Sequence, residues 1–351
     1  MRRLDNIRPE AATKLSIDAA LASGELRVVP GVRGCIWLVP RQDHSLCLRV
    51  SAEQARKRTL RELDQLGVPE ADLQDLGQQV LQALEGGPLS PKELREVLPE
   101  GAVSSLGAAG KKKGHNTTLP AAIRLLEWEG RVARYQEVLD TERYLWGLPR
   151  DAPLELGVSP TEVEEQAREL ALRFFSWAGP ASIAEFVTWS GLGKRVARKA
   201  VQGLDLVEVQ VEDLDEPRWA FEAALDRREP TGWALLPAQD NLISLRASPA
   251  MLAELAFHEV ELQAMGRSRT VPLREARWMF HRCVTRDGEL VGLWDWDEDS
   301  GELLVGGFGE ALSPSAPGLA ELCQDLSVLK ANAIDGQRSR RKRWARVREL
   351  A

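Results

Sequence analysis

The chain has 351 residues, 44% of them hydrophobic, which is enough for two or three domains with real cores and excludes global disorder. No apolar run approaches the roughly 20 residues of a membrane span, and no signal core follows the Met-Arg-Arg-Leu start, so a cytoplasmic protein is expected. The net charge of −7 is unevenly spread: eight basic residues against two acidic ones give Lys330–Ala351 a net +6 and leave −13 on the rest, the asymmetry of an acidic body with a local polyanion-binding surface.

In chain order, a helix is expected over Leu15–Leu21, broken at Gly24. A strand Leu26–Val29, a turn at Gly31–Gly34 and a strand Cys35–Val39, ended by Pro40, then make a two-stranded wing. Residues 51–84 read as helical, with Leu60, Leu63, Leu66, Leu73, Leu76, Val80, Leu81 and Leu84 as a buried stripe. Ser90, Pro91 and Glu93 form a capping box. Lys111, Lys112 and Lys113 stand in a glycine-flanked loop before a helix N-terminus, which suits phosphates by charge and by the helix dipole; a solvated surface loop explains them equally well. A helix through Ala122–Leu126, a break at Gly130 and strands Arg131–Tyr135 and Tyr144–Leu148 repeat the helix-and-wing pattern.

A helix over 159–177 carries Leu170, Phe174 and Phe175 inward. Then comes the most informative stretch, 178–211. Pro180 and Ser182 open a helix holding Ile183, Phe186 and Val187, and Gly191 and Gly193 break it. In the next helix Lys194, Arg195, Arg198 and Lys199 fall within an arc of about 140°, opposite Val196, Ala197, Ala200 and Val201. A strand follows at 206–211. Helix, tight glycine turn, basic-faced helix and strand is the layout of a winged helix-turn-helix, whose second helix enters a DNA groove. An ordinary solvated basic face accounts for the same pattern.

Past 225 the texture changes. Trp233–Leu242 is a short apolar strand running into a polar turn, Ser248-Pro249 caps a helix to about Met265, and Asp287-Gly288 is a hairpin signal within a β-meander over 278–308. Trp294 and Trp296 share a face, as the wall of a small barrel or as a stacking platform for bases. Arg341, Lys342 and Arg343 lie in the basic tail beside Trp344, a composition suited to nucleic acid or to a solvated tail. Four scattered cysteines and four isolated histidines give neither a disulfide framework nor a metal site, and no cofactor motif is present.

The pattern gives an α+β fold of tandem winged helix-turn-helix units followed by a small C-terminal β-barrel or meander. Its segments are 1–45 (partial winged helix), 46–85 (helical connector), 86–155 and 156–225 (winged helices), 226–330 (barrel-like domain) and 331–351 (basic tail). The expected partner is double-stranded DNA.

Gly179-Pro180-Ala181-Ser182, Phe186, Trp189-Ser190-Gly191-Leu192 and Ala197-Arg198 resemble the third winged helix of the AlkZ-like alkylpurine DNA glycosylases, the crosslink-unhooking family. Leu235–Leu242 looks like their Leu-Leu-Pro-x-x-Asp-x-Leu segment, Arg33–Pro40 like their Arg-Gly-Thr-x-His-Leu-Val-Pro strand, and Leu290–Trp294 like the hairpin of their C-terminal barrel. The resemblance implies tandem winged helices and a barrel around a DNA channel, with excision of alkylated or crosslinked bases. Two departures bear on chemistry. The family's Gln-x-Gln or Gln-x-Asp motif precedes the Arg-Gly strand, and no glutamine here begins such a triplet; the chain is expected to start inside the first winged helix, without that segment. Trp37 also stands where the family strand has His. Base excision needs a group to stabilise an oxocarbenium-like sugar and a positioned water. Asp43, between Gln42 and His44, and Asp240, beside Gln239, are the nominated catalytic carboxylates; a helix N-cap and a turn residue are their structural alternatives. Function stays open between a DNA glycosylase-like hydrolase in DNA repair and a non-catalytic winged-helix regulator or architectural factor.

Overall fold

The computed structural model describes residues 14–136, 144–150, 160–211, 216–226, 230–238, 240–244, 249–263, 269–276, 279, 281–296, 303–309, 312–323, 347 and 350. It is a mixed helix-and-strand fold whose contacts divide the chain into two units. One holds residues through Arg173 together with Ser190–Gly203, and the other holds Phe174–Trp189 and Leu204 onward.

The first unit opens with α1 (Lys14–Ser23), which stops at Gly24 in the left-handed region (φ 76°). The hairpin β1 (Leu26–Pro30) and β2 (Ile36–Pro40) pairs Leu26 with Pro40 and Pro30 with Ile36. The turn between them places Arg33 at φ 62° and Gly34 at φ 71°. Trp37 covers this turn: a Cβ at Gly31 would lie 2.6 Å from its ring, and its indole N–H donates to the Val32 carbonyl at 3.4 Å.

The stripe read over 51–84 resolves into α2 (His44–Asp64) and α3 (Glu70–Ala83), parted at Gly67-Val68-Pro69. Leu63, Leu73, Leu76, Val80 and Leu84 are buried, and Leu60, Leu66 and Leu81 half-buried. α4 (Pro91–Val97) starts with the expected box: Glu93 N–H donates to Ser90 Oγ at 3.2 Å, and Ser90 N–H to Glu93 Oε2 at 2.7 Å. After α5 (Gly107–Lys112) comes α6 (Leu119–Trp128), the helix the unit is built on. It buries Leu119, Ile123 and Leu126 toward α3 and α4, and Ala121, Leu125 and Trp128 toward α2. Only Pro120 and Arg124, four residues apart on one face, are exposed, so most of the helix surface is core. The hairpin β3 (Ala133–Gln136) and β4 (Tyr144–Gly147) follows, and Leu89 adds a third strand residue by two backbone bonds with Trp146, at 2.8 and 2.7 Å.

α7 (Pro160–Ala178) carries the chain into the second unit. Phe174, Phe175, Phe186 and Trp189 form a buried aromatic cluster with centroids 5.1–6.3 Å apart, tilted or edge-on as ring quadrupoles prefer. Only glycine fits at 179, where a Cβ would sit 2.8 Å from the Phe175 carbonyl oxygen. After α8 (Ile183–Ser190) and α9 (Lys194–Val201) comes the hairpin β5 (Val207–Val209) and β6 (Arg218–Ala220). Ala181 and Trp219 exchange backbone bonds at 3.0 and 2.9 Å, the same bridge that Leu89 and Trp146 make. The two stretches share a capping box as well, Gly87-Pro88-Leu89-Ser90-x-x-Glu93 and Gly179-Pro180-Ala181-Ser182-x-x-Glu185.

The C-terminal part holds β7 (Trp233–Leu236), α10 (Asn241–Ser244), the hairpin β8 (Glu261–Gln263) and β9 (Thr270–Pro272), then β10 (Arg282–Arg286), β11 (Glu289–Trp296) and β12 (Leu303–Gly307). Asp287 and Gly288 both take positive φ (53° and 86°), as a type I′ hairpin turn requires. The meander is present, but among the described residues it does not close into a barrel. The sheet is open, in the order β12-β11-β10-β7, and β8–β9 forms a separate pair. Closure would need β7 and β12 to pair with each other or with further strands, and among the described residues each has a neighbour on one side only. Both faces of the sheet are covered instead, Leu236, Cys283 and Leu293 packing on one side and Val284, Trp294 and Val305 on the other. The helix expected from Ser248 to Met265 is replaced by 3-10 turns at Pro249–Leu252 and Leu255–Phe257 and by β8. No described helix is long and apolar enough to cross a membrane.

Candidate nucleic-acid interface

Gly191-Leu192-Gly193 joins α8 to α9. Gly191 takes φ 71°, a conformation that costs a residue with a side chain roughly 1–2 kcal/mol, and Leu192 N–H donates to the buried Ser190 Oγ at 3.2 Å. Along α9, Ala197 and Ala200 are buried while Lys194, Arg195, Arg198 and Lys199 are exposed, so the four cations occupy one solvent face. Lys199 Nζ is held by Glu164 Oε1 of α7; Lys194, Arg195 and Arg198 make no ion pair among the described residues.

The lysine loop expected before a helix N-terminus is a helix end. Lys111 and Lys112 close α5 and Lys113 caps it, because Gly107–Lys112 turns helical as soon as the chain leaves the Ser105–Thr117 bridge. Lys111 and Lys112 remain exposed, and Lys113 Nζ donates to Gln65 Oε1 at 2.5 Å. Arg341, Lys342 and Arg343 lie outside the described residues. Trp294 belongs to the sheet core, its indole N–H donating to the Leu236 carbonyl at 2.9 Å.

The two nominated carboxylates are buried and each has a partner. Asp43 precedes α2 without a side-chain cap; its Oδ1 lies 2.6 Å from Nη1 of Arg173. Burial, with the Asp43 carboxylate adding to it, pushes the nearby Cys47 thiol up to about 11. Asp240 Oδ1 accepts the Leu242 N–H at 2.7 Å, a local turn bond, and its backbone carbonyl accepts from Ile243. Asp43 lies in the first unit and Asp240 in the second.

Sequence reasoning missed a cavity of about 510 Å³ within the first unit. Four arginines line it from four elements: Arg33 in the first hairpin turn, Arg58 on α2, Arg124 on α6 and Arg134 on β3. Glu127, from α6, is the acid among them. It is 3% exposed and takes a two-pronged pair from Arg134, Nε to Oε1 at 2.5 Å and Nη2 to Oε2 at 2.9 Å. Burial pushes the Glu127 carboxyl up, against the pull of that guanidinium. Arg134 also stacks on Trp146 and Tyr144, at 4.7 and 5.2 Å from the ring centroids. Trp128, 5% exposed, is also among the lining residues, and its indole N–H, itself shut off from solvent, has no acceptor among the described residues. Pro30, Ile36, Val50 and Ala55 form its apolar wall. The one available signal was Glu127 itself, an acid inside the otherwise apolar run Leu125–Trp128, seven residues before an arginine. Among the described residues no group of three or more His, Cys, Asp and Glu side chains is placed to hold a metal ion.

A family model described as DNA glycosylase AlkZ-like matches residues 2–328. The fold is similar to that of Streptomyces sahachiroi DNA glycosylase AlkZ, with a TM-score of 0.66 over 90% of this chain and 82% of that one, at 18% sequence identity. No curated protein matches. The family match spans nearly the whole chain, and the chain belongs to the AlkZ-like DNA glycosylase family.

Proposed function

With membership of the AlkZ-like DNA glycosylase family as premise, we propose that the chain binds double-stranded DNA through tandem winged helices and recognises alkylated or crosslinked bases there. The observation that carries this reading is α9. Four cations on one exposed face of a helix reached through a tight glycine turn and followed by a hairpin are what a recognition helix requires. The segments 86–155 and 156–225 are the two modules of this kind, supported by their matching bridges and capping boxes. Lys111 and Lys112, exposed at the end of α5, add phosphate contacts, and so does the basic tail with Arg341, Lys342 and Arg343.

Phosphate contacts release counterions, so binding falls steeply with salt. Neutralising Arg195 and Arg198 together is expected to lower the slope of log affinity against log salt by about 1.8. Reversing both charges weakens binding further and leaves the thermal unfolding of the protein unchanged. A reversed variant that binds as tightly as the parent removes α9 from the interface.

A second reading keeps the scaffold and drops the chemistry: a lesion binder that releases no base. It is favoured by the commitment of Asp43 to Arg173 and of Asp240 to its own turn. The two readings separate on whether free base appears when the protein meets alkylated duplex.

A further inference from the structure

The two repeated stretches are built in one order but expose different parts. Each runs from a capping box (Ser90-x-x-Glu93, Ser182-x-x-Glu185) through a helix (α4, α8) to a last helix (α6, α9) and a left-handed glycine (Gly130, φ 67°; Gly203, φ 82°). A hairpin follows, whose tryptophan bridges back to the start, Trp146 to Leu89 and Trp219 to Ala181. By that order α6 stands where α9 stands. Counted back from the two glycines, Lys194, Arg195, Arg198 and Lys199 of α9 fall on Ala121, Ala122, Leu125 and Leu126 of α6. The four cations are exposed, and the four apolar residues are buried. Ala121 and Leu125 pack in one cluster with Leu63 of α2. A groove-reading helix needs that face open to base edges, and on α6 the chain's own packing closes it.

The 86–155 stretch also has a part the other lacks. α8 and α9 are joined by Gly191–Gly193, whereas α4 and α6 are joined by residues 98–118, which hold α5. Gly101–Thr118 carries three lysines and no acid, in a chain of net charge −7. This insertion is fastened to itself. Leu106 N–H donates to the Asn116 carbonyl and Thr118 N–H to the Ser104 carbonyl, both at 3.0 Å. Gly110 lies so close to His115 that a Cβ there would collide with its carbonyl oxygen. It is fastened to α2 as well: His115 Nε2 lies 3.1 Å from Glu62 Oε2, and Lys113 Nζ donates to Gln65 Oε1, at the end of that helix, at 2.5 Å. The helix that closes α6 thus braces α5, and Lys111 and Lys112 are left exposed on it. A braced cation loses little freedom on meeting a phosphate. We infer that the 86–155 module is a backbone clamp, which grips DNA phosphates through Lys111 and Lys112 while α6 stays shut to the groove, and that groove reading falls to α9. The inference rests on the DNA-binding reading and divides its contacts into those that position the duplex and those that read it.

The test is duplex binding across a salt series, followed by fluorescence anisotropy, for the parent, for Lys111→Ala/Lys112→Ala and for Lys92→Ala/Arg95→Ala. All four side chains are exposed, so both variants are expected to fold, which a thermal melt checks. Lys92 and Arg95 lie on α4, the helix that crosses the DNA backbone when a module of this kind docks by its last helix. The α5 variant should lower the slope of log affinity against log salt by about 1.8 and weaken duplexes of different sequence alike. The α4 variant should keep the parent's slope. Lysine acetylation read by mass spectrometry locates the contact without reference to affinity: duplex should protect Lys111 and Lys112 and leave Lys92 labelled as before. An unchanged slope in the α5 variant, a lowered slope in the α4 variant, or Lys111 and Lys112 labelled equally with and without duplex overturns the clamp and leaves the DNA reading standing. A parent that binds no duplex at any salt removes the DNA reading, and the clamp falls with it.

Discussion

Glu185→Ala should be among the most damaging single substitutions in the second unit. Glu185 is 2% exposed and Arg218 5%, and Arg218 Nη1 donates to Glu185 Oε2 at 2.6 Å. The same carboxylate oxygen accepts the Ser182 N–H at 2.7 Å, so one group both caps α8 and ties β6 to it. Removing one partner of a buried pair costs about 3–5 kcal/mol, because the remaining charge stays out of water. Here the stranded guanidinium keeps a hydrogen bond to the Met251 sulfur at 3.7 Å, a weak acceptor, and the cap is lost as well. The expected loss therefore lies at the upper end of that range. Glu185→Gln, which keeps an oxygen for Ser182 N–H, should cost clearly less. Glu185→Leu combined with Arg218→Met, with no charge left to strand, should recover most of the stability of Glu185→Ala. The assay is urea unfolding at pH 7 followed by tryptophan fluorescence, since Trp177 and Trp189 sit in the neighbouring aromatic cluster. In the sequence copy of this box, Ser90–Glu93, the carboxylate is solvent-exposed, so Glu93→Ala should disturb the fold far less. A Glu185→Ala protein within about 1 kcal/mol of the parent would refute the reasoning, since a stranded buried charge cannot be that cheap.

Thiol labelling gives a second check. Cys35 is exposed, whereas Cys47 is raised to about 11 and burial pushes Cys283 higher still. At pH 8 only about a thousandth of Cys47 is thiolate. Iodoacetamide followed by mass spectrometry should mark Cys35 first, and Cys47 only as the pH climbs toward 11; early labelling of Cys283 would contradict its burial. Gly191→Ala should cost about 1–2 kcal/mol in a thermal melt, because φ 71° is strained for alanine; an unchanged melt would mean the turn adjusts freely. Asp43→Asn should cost about 1–3 kcal/mol by depriving Arg173 of its carboxylate, and Asp240→Asn under about 1 kcal/mol because the amide oxygen still accepts from Leu242. Loss of base release in either variant at unchanged stability would mark that carboxylate as catalytic.

Much of the architecture was legible because it is written in local signals. Gly24, Gly130 and Gly191 stop helices at the positions read, and Asp287-Gly288 makes its hairpin, since each needs only its own φ to be fixed. The repeat was legible in outline, although its clearest mark, Gly-Pro-x-Ser-x-x-Glu at 87–93 and 179–185, emerged only once both boxes were seen to close on hairpins of the same kind. The 249–265 segment was misread because apolar spacing at Met251, Leu252 and Leu255 fits one helical face, while tertiary contacts with β9 pull the backbone into 3-10 turns and a strand instead. The cavity was out of reach. Arg33, Arg58, Arg124 and Arg134 come from four elements spread along the chain from the first hairpin to the second, and nothing local marks them as neighbours. The pairing of Asp43 with Arg173, across 130 positions, was hidden for the same reason.

We propose that this chain engages damaged duplex DNA. A gel assay with a labelled duplex carrying one N7-alkylguanine, run across a salt series and read for retardation and for strand cleavage after alkali, tests it most directly. Retardation that weakens steeply with salt is expected, and cleavage or its absence then tells hydrolase from binder. A labelled duplex that runs unshifted at low salt would contradict it.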